Sequence, residues 1–445
     1  MGYALIRTLV RLLLAVFYRR IEVVGAERIP QSGALIVAAN HHNSVVDAMI
    51  LMAIAPRRLR PLANAPLFSH PLIGPLLRLA GALPVHRRQE AGDDPRRNDA
   101  LFAATTATLQ DGGAIMIFPE GKTQPEPVLQ ALRTGTARML LAAQHAAGPC
   151  TPVTLLPVGL VFERPGVFRE GSAVVMVGAP VSSDDLPAGD EPRALTARLE
   201  TALRTLIVEA PDRDILCHAG VVAALSVPSA SSDSAAGERL ARQRAAMAGY
   251  RWLAAHQPQR LSAFAARLRS FALDMDKAGL PCAAMPRRYS LRNVATFMLR
   301  TALPMALAAP LAWCGLLLHA LPAALTRGAV RLIPHTDEEE ATDKMAAGLV
   351  LFPLCWAVEA WLVQRFGSHA ALGMFLLLLV PAGLCAAWWL DGVKRVRREM
   401  AALLHVLQDW DFPQRCRGMR QELLAEIDEL SRGIPPQDNG IARRI

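Results

Sequence analysis

Residues 370 to 390 carry no charged side chain, and residues 345 to 363 carry one, Glu359. A hydrocarbon layer about 30 Å thick takes roughly 20 apolar residues of helix to cross, and no other open-chain structure satisfies its backbone there. Two such runs with a short polar connection read as a transmembrane hairpin. Lys394, Arg395, Arg397 and Arg398 follow the second run, and positive loops face the cytoplasm. The tail is therefore expected on the cytoplasmic side, with the remainder of the soluble chain, which requires an even number of crossings. A third uncharged run, Thr301 to Thr326, holds Pro304, Pro310, Pro322 and His319. Its prolines suggest a re-entrant or interfacial segment, giving two crossings, or four if it is itself a hairpin. Glu359 is a functional candidate within its span, or a side chain that snorkels from near the span's end.

The 445 residues exceed one ordinary domain, so a globular unit beside the membrane part is expected. The net charge of +9 suits an anionic partner. Lys and Arg cluster beside apolar runs and are not interleaved with aromatics, which favours a membrane surface over nucleic acid. Seven cysteines without a CxxC pair argue against a disulfide framework or a zinc site. Residues 1 to 20 read as an amphipathic membrane-associated helix, in which Arg7 and Arg11 share a face and Leu12, Leu13, Val16 and Phe17 supply apolar surface. A first helix packed into the core has nearly equal support. Arg11 interrupts the apolar stretch, and Arg19 and Arg20 stand where a cleavage site would be, so no secretory signal is read.

Residues 21 to 215 alternate strand-like and helix-like segments. The short apolar runs Ala34 to Asn40, Ala114 to Glu120, Val153 to Phe162 and Ser172 to Val181 read as buried strands. Helical patterns at Arg97 to Gln110 and Thr134 to Ala147 separate several of them, which predicts an α/β fold with a mostly parallel sheet flanked by helices. A last helix of this domain is expected over Pro192 to Glu209. A small polar linker at 228–237 follows, then a helical segment at 238–295, a membrane region at 296–393 and a cytosolic helical tail at 394–445.

The chemistry-bearing residues cluster in the first domain. The strand ending at Asn40 runs into His41-His42-Asn43-Ser44-Val45-Val46-Asp47, which places Asp47 five residues after His42. A histidine deprotonates a hydroxyl best when its other ring nitrogen is held by an acceptor, and a carboxylate also stabilises the imidazolium. Five helical residues turn two side chains roughly 140° apart, so His42 has to lie before or at the helix cap to meet Asp47. Three further blocks accompany this pair. Phe118-Pro119-Glu120-Gly121-Lys122-Thr123 ends a second strand, with Lys122 as a charge for phosphate. Gly81-Ala82-Leu83-Pro84-Val85-His86-Arg87-Arg88 brings guanidinium groups that grip phosphate bidentately. The apolar strand around Pro157 is the last.

In order and spacing these four blocks resemble the glycerolipid acyltransferase family, whose members acylate glycerol-3-phosphate, lysophosphatidate and related lysophospholipids. The resemblance covers residues 1 to about 182. It implies His42 as the base, Asp47 as its orienting acid, Arg87 as a phosphate-binding residue with Arg88 as a substitute, and an acceptor site at Glu120, Gly121 and Lys122. This chain lacks the family's usual Arg after Gly-Thr in the third block. Lys122 or Arg133 then supplies that charge. Phe168 and Arg169, with the long C-terminal membrane region, are similar to the glycerol-3-phosphate and dihydroxyacetone-phosphate acyltransferase branch.

The resemblance implies transfer of a fatty acyl group from acyl-CoA or acyl carrier protein to a hydroxyl of glycerol-3-phosphate or lysophosphatidate, on the cytoplasmic face. It implies no metal or redox cofactor, membrane lipids as partners and no nucleic acid. A transacylase, or an acyltransferase for another lysolipid or an aminolipid, would use the same residues. A membrane scaffold would not need His42.

Overall fold

The computed structural model describes residues 2–71, 73–86, 96–124, 126–147, 152–163, 166–226, 236–280, 282, 295–333, 336 and 339–434. They form two units, Met1–Arg213 with His335–Met345 and Asp214–Pro334 with Ala346–Ile445.

The first unit is built on strands β1 (Arg20–Val24), β2 (Leu35–Ala39), β3 (Arg60–Asn64), β4 (Leu83–Val85), β5 (Ala114–Ile117), β6 (Thr154–Glu163) and β7 (Ser172–Val177). Their order in the sheet is β1-β7-β6-β2-β5-β3-β4. All neighbours are parallel except β6 and β7. Helices α1 (Gly2–Phe17), α2 (Ser44–Ile54), α3 (Ile73–Ala80), α4 (Arg96–Gln110), α5 (Gly135–Ala147) and α6 (Glu191–Arg204) complete it. Alternation along β2 divides the core. Leu35, Val37 and Ala39 pack with Val10 and Leu14 of α1 and Val46 and Ile50 of α2. Ile36 and Ala38 face Leu109, Leu140 and Leu199 of α4, α5 and α6. A strand covered on both faces is apolar at every position, which is why β2 was legible. Pro157, which has no N–H for a ladder, sits opposite Ala38 where the antiparallel pairing of β6 with β7 has yet to begin.

Helix α1 buries Ile6, Val10, Leu14 and Phe17. The Arg7 guanidinium donates to the Ala55 carbonyl, and Arg11 donates to Ala53 O at 3.0 and 2.8 Å. Both acceptors lie at the C-terminal end of α2, where carbonyls lack helical partners and the dipole favours cations. The two arginines therefore cap a neighbouring helix.

The second unit contains α7 (Arg213–Leu225), α8 (Ala236–His256), α9 (Pro258–Lys277), α10 (Leu303–Leu332), α11 (Glu340–Phe366), α12 (His369–Gln408) and α13 (Phe412–Arg432). Of the expected linker 228–237, residues up to 235 lie outside the described residues, and Ala236 and Gly237 open α8. The run 301–326 is not broken at its prolines. Pro304 lies inside the continuous helix Ala295–Leu332, and the turn before it, Met298–Ala302, widens to a π-helix, which accommodates a residue that has no N–H to donate back along the helix. Ala295–Leu332, Glu340–Phe366 and His369–Gln408 are each long and apolar enough to cross a membrane. Small residues let α10 and α12 approach closely: Gly315 lies against the Ala382 carbonyl and Ala386. Trp389 Nε1 donates to Met305 O at 3.1 Å. Glu359, half-buried in α11, has one carboxylate oxygen without a partner among the described residues.

Helices α9 and α13 pack through Leu268, Phe271, Phe412, Cys416 and Leu423, and Arg260 pairs with Glu429 at 2.6 Å.

Candidate active site

Parallel pairing of β2 with β5 sets Ala38 opposite Ile117. The two loops that leave these strands therefore emerge together at the carboxyl edge of the sheet, where α/β folds place their sites. Continuing that register brings His41 beside Glu120. The His41 amide donates to Glu120 Oε1 at 2.8 Å, and the Gln130 amide donates to Oε2 at 3.0 Å. Glu120 is 3% exposed. Burial pushes its carboxyl above the usual range, against the opposing pull of the Gln130 and His41 amides and the nearby histidine rings. With both oxygens engaged by backbone, Glu120 ties the loop after β2 to the loop after β5.

Asp47, fully buried in the first turn of α2, collects three donors on one oxygen. Its Oδ2 lies 2.8 Å from His41 Nδ1 and accepts the His42 and Asn43 amides, both at 2.9 Å. The dyad therefore differs from the sequence expectation, because the ring paired with Asp47 is that of His41. His42 already meets the carboxylate through its own N–H, and its ring turns to the Gln124 carbonyl, with Nδ1 at 3.2 Å. The backbone bends sharply here, with Asn43 at φ −139° and Ser44 at φ 45°, a left-handed value unusual outside glycine. This bend precedes the regular helix, so helical spacing does not govern which histidine reaches Asp47. The His41 ring stacks on Phe118, 4.1 Å between centroids and 13° from parallel. Its Nε2 has no partner among the described residues.

Gly121 has φ 72°, and a Cβ there would come within 2.8 Å of Arg133 Nε. The missing side chain thus lets the Arg133 guanidinium lie on the loop after β5. Lys122 and Arg133 are both exposed, without a carboxylate partner among the described residues. Arg87 and Arg88 lie outside the described residues.

The family model described as Acyltransferase matches residues 20–161, which takes in all of this constellation. Over residues 20–161 the chain is similar to acyltransferases. The chain is 27% identical over 195 residues to 1-acyl-sn-glycerol-3-phosphate acyltransferase alpha of Homo sapiens, covering 43% of this chain and 64% of that protein. It is 32% identical over 126 residues to glycerol-3-phosphate O-acyltransferase 2 of Saccharomyces cerevisiae, covering 27% of this chain and 17% of that one. The chain thus spans less than two thirds of the length of these relatives. The crystal structure of the 1-acyl-sn-glycerophosphate acyltransferase of Thermotoga maritima aligns with a TM-score of 0.35 at 17% identity, over 46% of this chain and 79% of that one.

Within residues 20–161, sequence reasoning missed Asn40, Asn43 and Phe118 as site-building residues. Asn40 is fully buried, donates to Leu160 O at 2.8 Å and accepts from Leu160 N at 2.6 Å, so it extends the β2–β6 ladder one residue past the strand. Asn43 Nδ2 donates to the Tyr18 hydroxyl at 2.6 Å. A lone buried Asn at a strand end, directly before a polar cluster, was the available signal. Asn40→Ala would strip two buried backbone groups of their partners, and a loss of about 2–4 kcal/mol is expected. Thermal unfolding of the purified protein in detergent measures it.

Proposed function

We propose that the chain is a membrane-bound O-acyltransferase that transfers a fatty acyl group from acyl-CoA or acyl carrier protein to a hydroxyl of a phosphate-bearing glycerolipid precursor, on the cytoplasmic side. The observation that carries this reading is the His41–Asp47 pair, with His41 Nε2 free, beside a loop bearing Lys122 and Arg133. His41 takes the proton of the acceptor hydroxyl while its oxygen attacks the thioester carbonyl. The C–S bond breaks, and the imidazolium returns the proton to the leaving thiolate, so no acyl-enzyme is needed. Asp47 holds the tautomer and offsets the developing ring charge. Lys122 and Arg133, with Arg87 and Arg88 earlier in the sequence, supply the charge for an acceptor phosphate. The relatives' printed acceptors, glycerol-3-phosphate and its 1-acyl form, both fit that charge.

The test is transfer from radiolabelled acyl-CoA by membranes containing the protein, with glycerol-3-phosphate, lysophosphatidate and monoacylglycerol offered separately. Transfer to a phosphate-bearing acceptor is expected, and equal transfer to monoacylglycerol would overturn the phosphate reading. Gly121→Ala, which disturbs both the loop's positive φ and the seat of Arg133, should raise the acceptor KM by roughly tenfold, the worth of one charged contact. The KM for acyl-CoA should stay near its original value.

A further inference from the structure

The fan of donors on Asp47 is demanding to build. The His41 ring and the His42 and Asn43 amides all meet Oδ2, while Oδ1 is buried without a partner among the described residues. Three donors reach one atom only if the backbone from His41 to Asn43 wraps around it, so a shift of Asn43 displaces the His41 ring as well. The wrap ends at Ser44, whose φ of 45° is left-handed. Backbone of this kind persists only where its surroundings over-determine it.

One such restraint comes from outside the loop. An asparagine at a helix cap ordinarily turns its side-chain oxygen onto an N–H of the first turn. Asn43 caps α2 and makes no such bond. Its Nδ2 donates instead to the Tyr18 hydroxyl at 2.6 Å, and its Oδ1 is buried without a partner among the described residues. The usual cap is thus given up for a bond to Tyr18. That residue is itself firmly held: its N–H donates to Leu14 O at 2.8 Å as a continuation of α1, and its ring packs against Phe17 and Phe162 at centroid distances of 5.2 and 6.2 Å. Tyr18 is 3% exposed. A buried hydroxyl costs free energy unless it is bonded, and a phenylalanine would fill the same place without one. Burial pushes the phenol well above its ordinary range, against the pull of the Asn43 amide and helped by the Asp47 charge. The hydroxyl therefore holds Asn43 without ionising.

We infer that Tyr18 is a positioning residue for the acyl transfer proposed above: its hydroxyl keeps the Asn43 side chain off the cap of α2 and so maintains the bend that seats the His41 ring on Asp47. The inference rests on that catalytic reading. Tyr18 acts on the rate only through Asn43, so removal of its hydroxyl should slow the chemical step and leave substrate binding alone.

The full chain as wild type, Tyr18→Phe, Asn43→Ala, the double variant and His41→Ala is compared in detergent with radiolabelled acyl-CoA and the phosphate-bearing acceptor. Tyr18→Phe should lower kcat by about 10- to 100-fold, the cost of a misplaced catalytic group, with both KM values unchanged. The double variant should be no slower than the slower single one, because the two residues act as a unit. An unchanged kcat, an effect confined to KM, or losses that multiply in the double variant would overturn the proposal. Proton NMR of the same proteins reads the pairing without catalysis, since an imidazole N–H bonded to a carboxylate resonates far downfield and is identified by its disappearance in His41→Ala. The resonance should be present in wild type and lost in Tyr18→Phe. Its absence from wild type, or its persistence in Tyr18→Phe, would also overturn the proposal. Loss of the resonance in Tyr18→Phe, together with a wild type that transfers no acyl group, would support the hold of Tyr18 on the pair and overturn the catalytic reading alone.

Discussion

Membranes carrying His41→Ala protein are expected to lose acyl transfer by about 10²–10⁴-fold, the usual contribution of a positioned general base, whereas His42→Ala should keep most of its rate. The reason is the partner each ring has. His41 Nδ1 faces the Asp47 carboxylate at 2.8 Å, while His42 Nδ1 faces only the neutral Gln124 carbonyl at 3.2 Å. Both arrangements fix a tautomer, but only the carboxylate offsets the charge that the ring gains in the transition state. Initial rates at saturating acyl-CoA make the comparison. Because the His41 ring stacks on Phe118, His41→Gln, which keeps more of that contact, separates loss of the base from loss of packing. Collapse of activity in His42→Ala alone would return the role to His42.

Asp47→Asn should cost roughly 10³–10⁴-fold in kcat, in the range seen when an orienting carboxylate is neutralised, with little change in the unfolding temperature. An amide oxygen can still accept the His42 and Asn43 N–H groups that Asp47 Oδ2 accepts, so the start of α2 keeps its cap. What disappears is the negative charge opposite the imidazolium. Asp47→Ala is the contrast, since it also abandons both amides in a buried site and should destabilise the domain by about 1–3 kcal/mol or more. A rate for Asp47→Asn near wild type would show that the proton relay does not pass through this carboxylate.

The central strands were legible because burial on both faces writes a continuous apolar run, as in β2, β5 and β6. Strands β1, β3 and β4 were not. Arg60 and Pro61 open β3 without alternation, β4 has only three residues, and β1, though it alternates over Arg20 to Val23, is five residues long and lies, like β4, at an edge of the sheet. At the site, the sequence reading set the His42 ring against Asp47, whereas the ring 2.8 Å from that carboxylate is that of His41. Spacing arguments assume regular helix, and the residues that decide the pairing, Asn43 and Ser44, are irregular. Glu120 was read as facing the acceptor; its bonds to the His41 and Gln130 amides depend on β2–β5 register, a long-range property that no local motif reveals.

The first unit is discontinuous, since Ala341 and Met345 are buried in the core that α1, α2 and the sheet share. On the ribosome, where domains fold as they emerge, N-terminal ones first, the main segment of the first unit would be synthesised by residue 213 yet lack these two core side chains. They arrive only after α10 has been made. Completion of the first unit's core is therefore timed by the synthesis of the first long apolar helix.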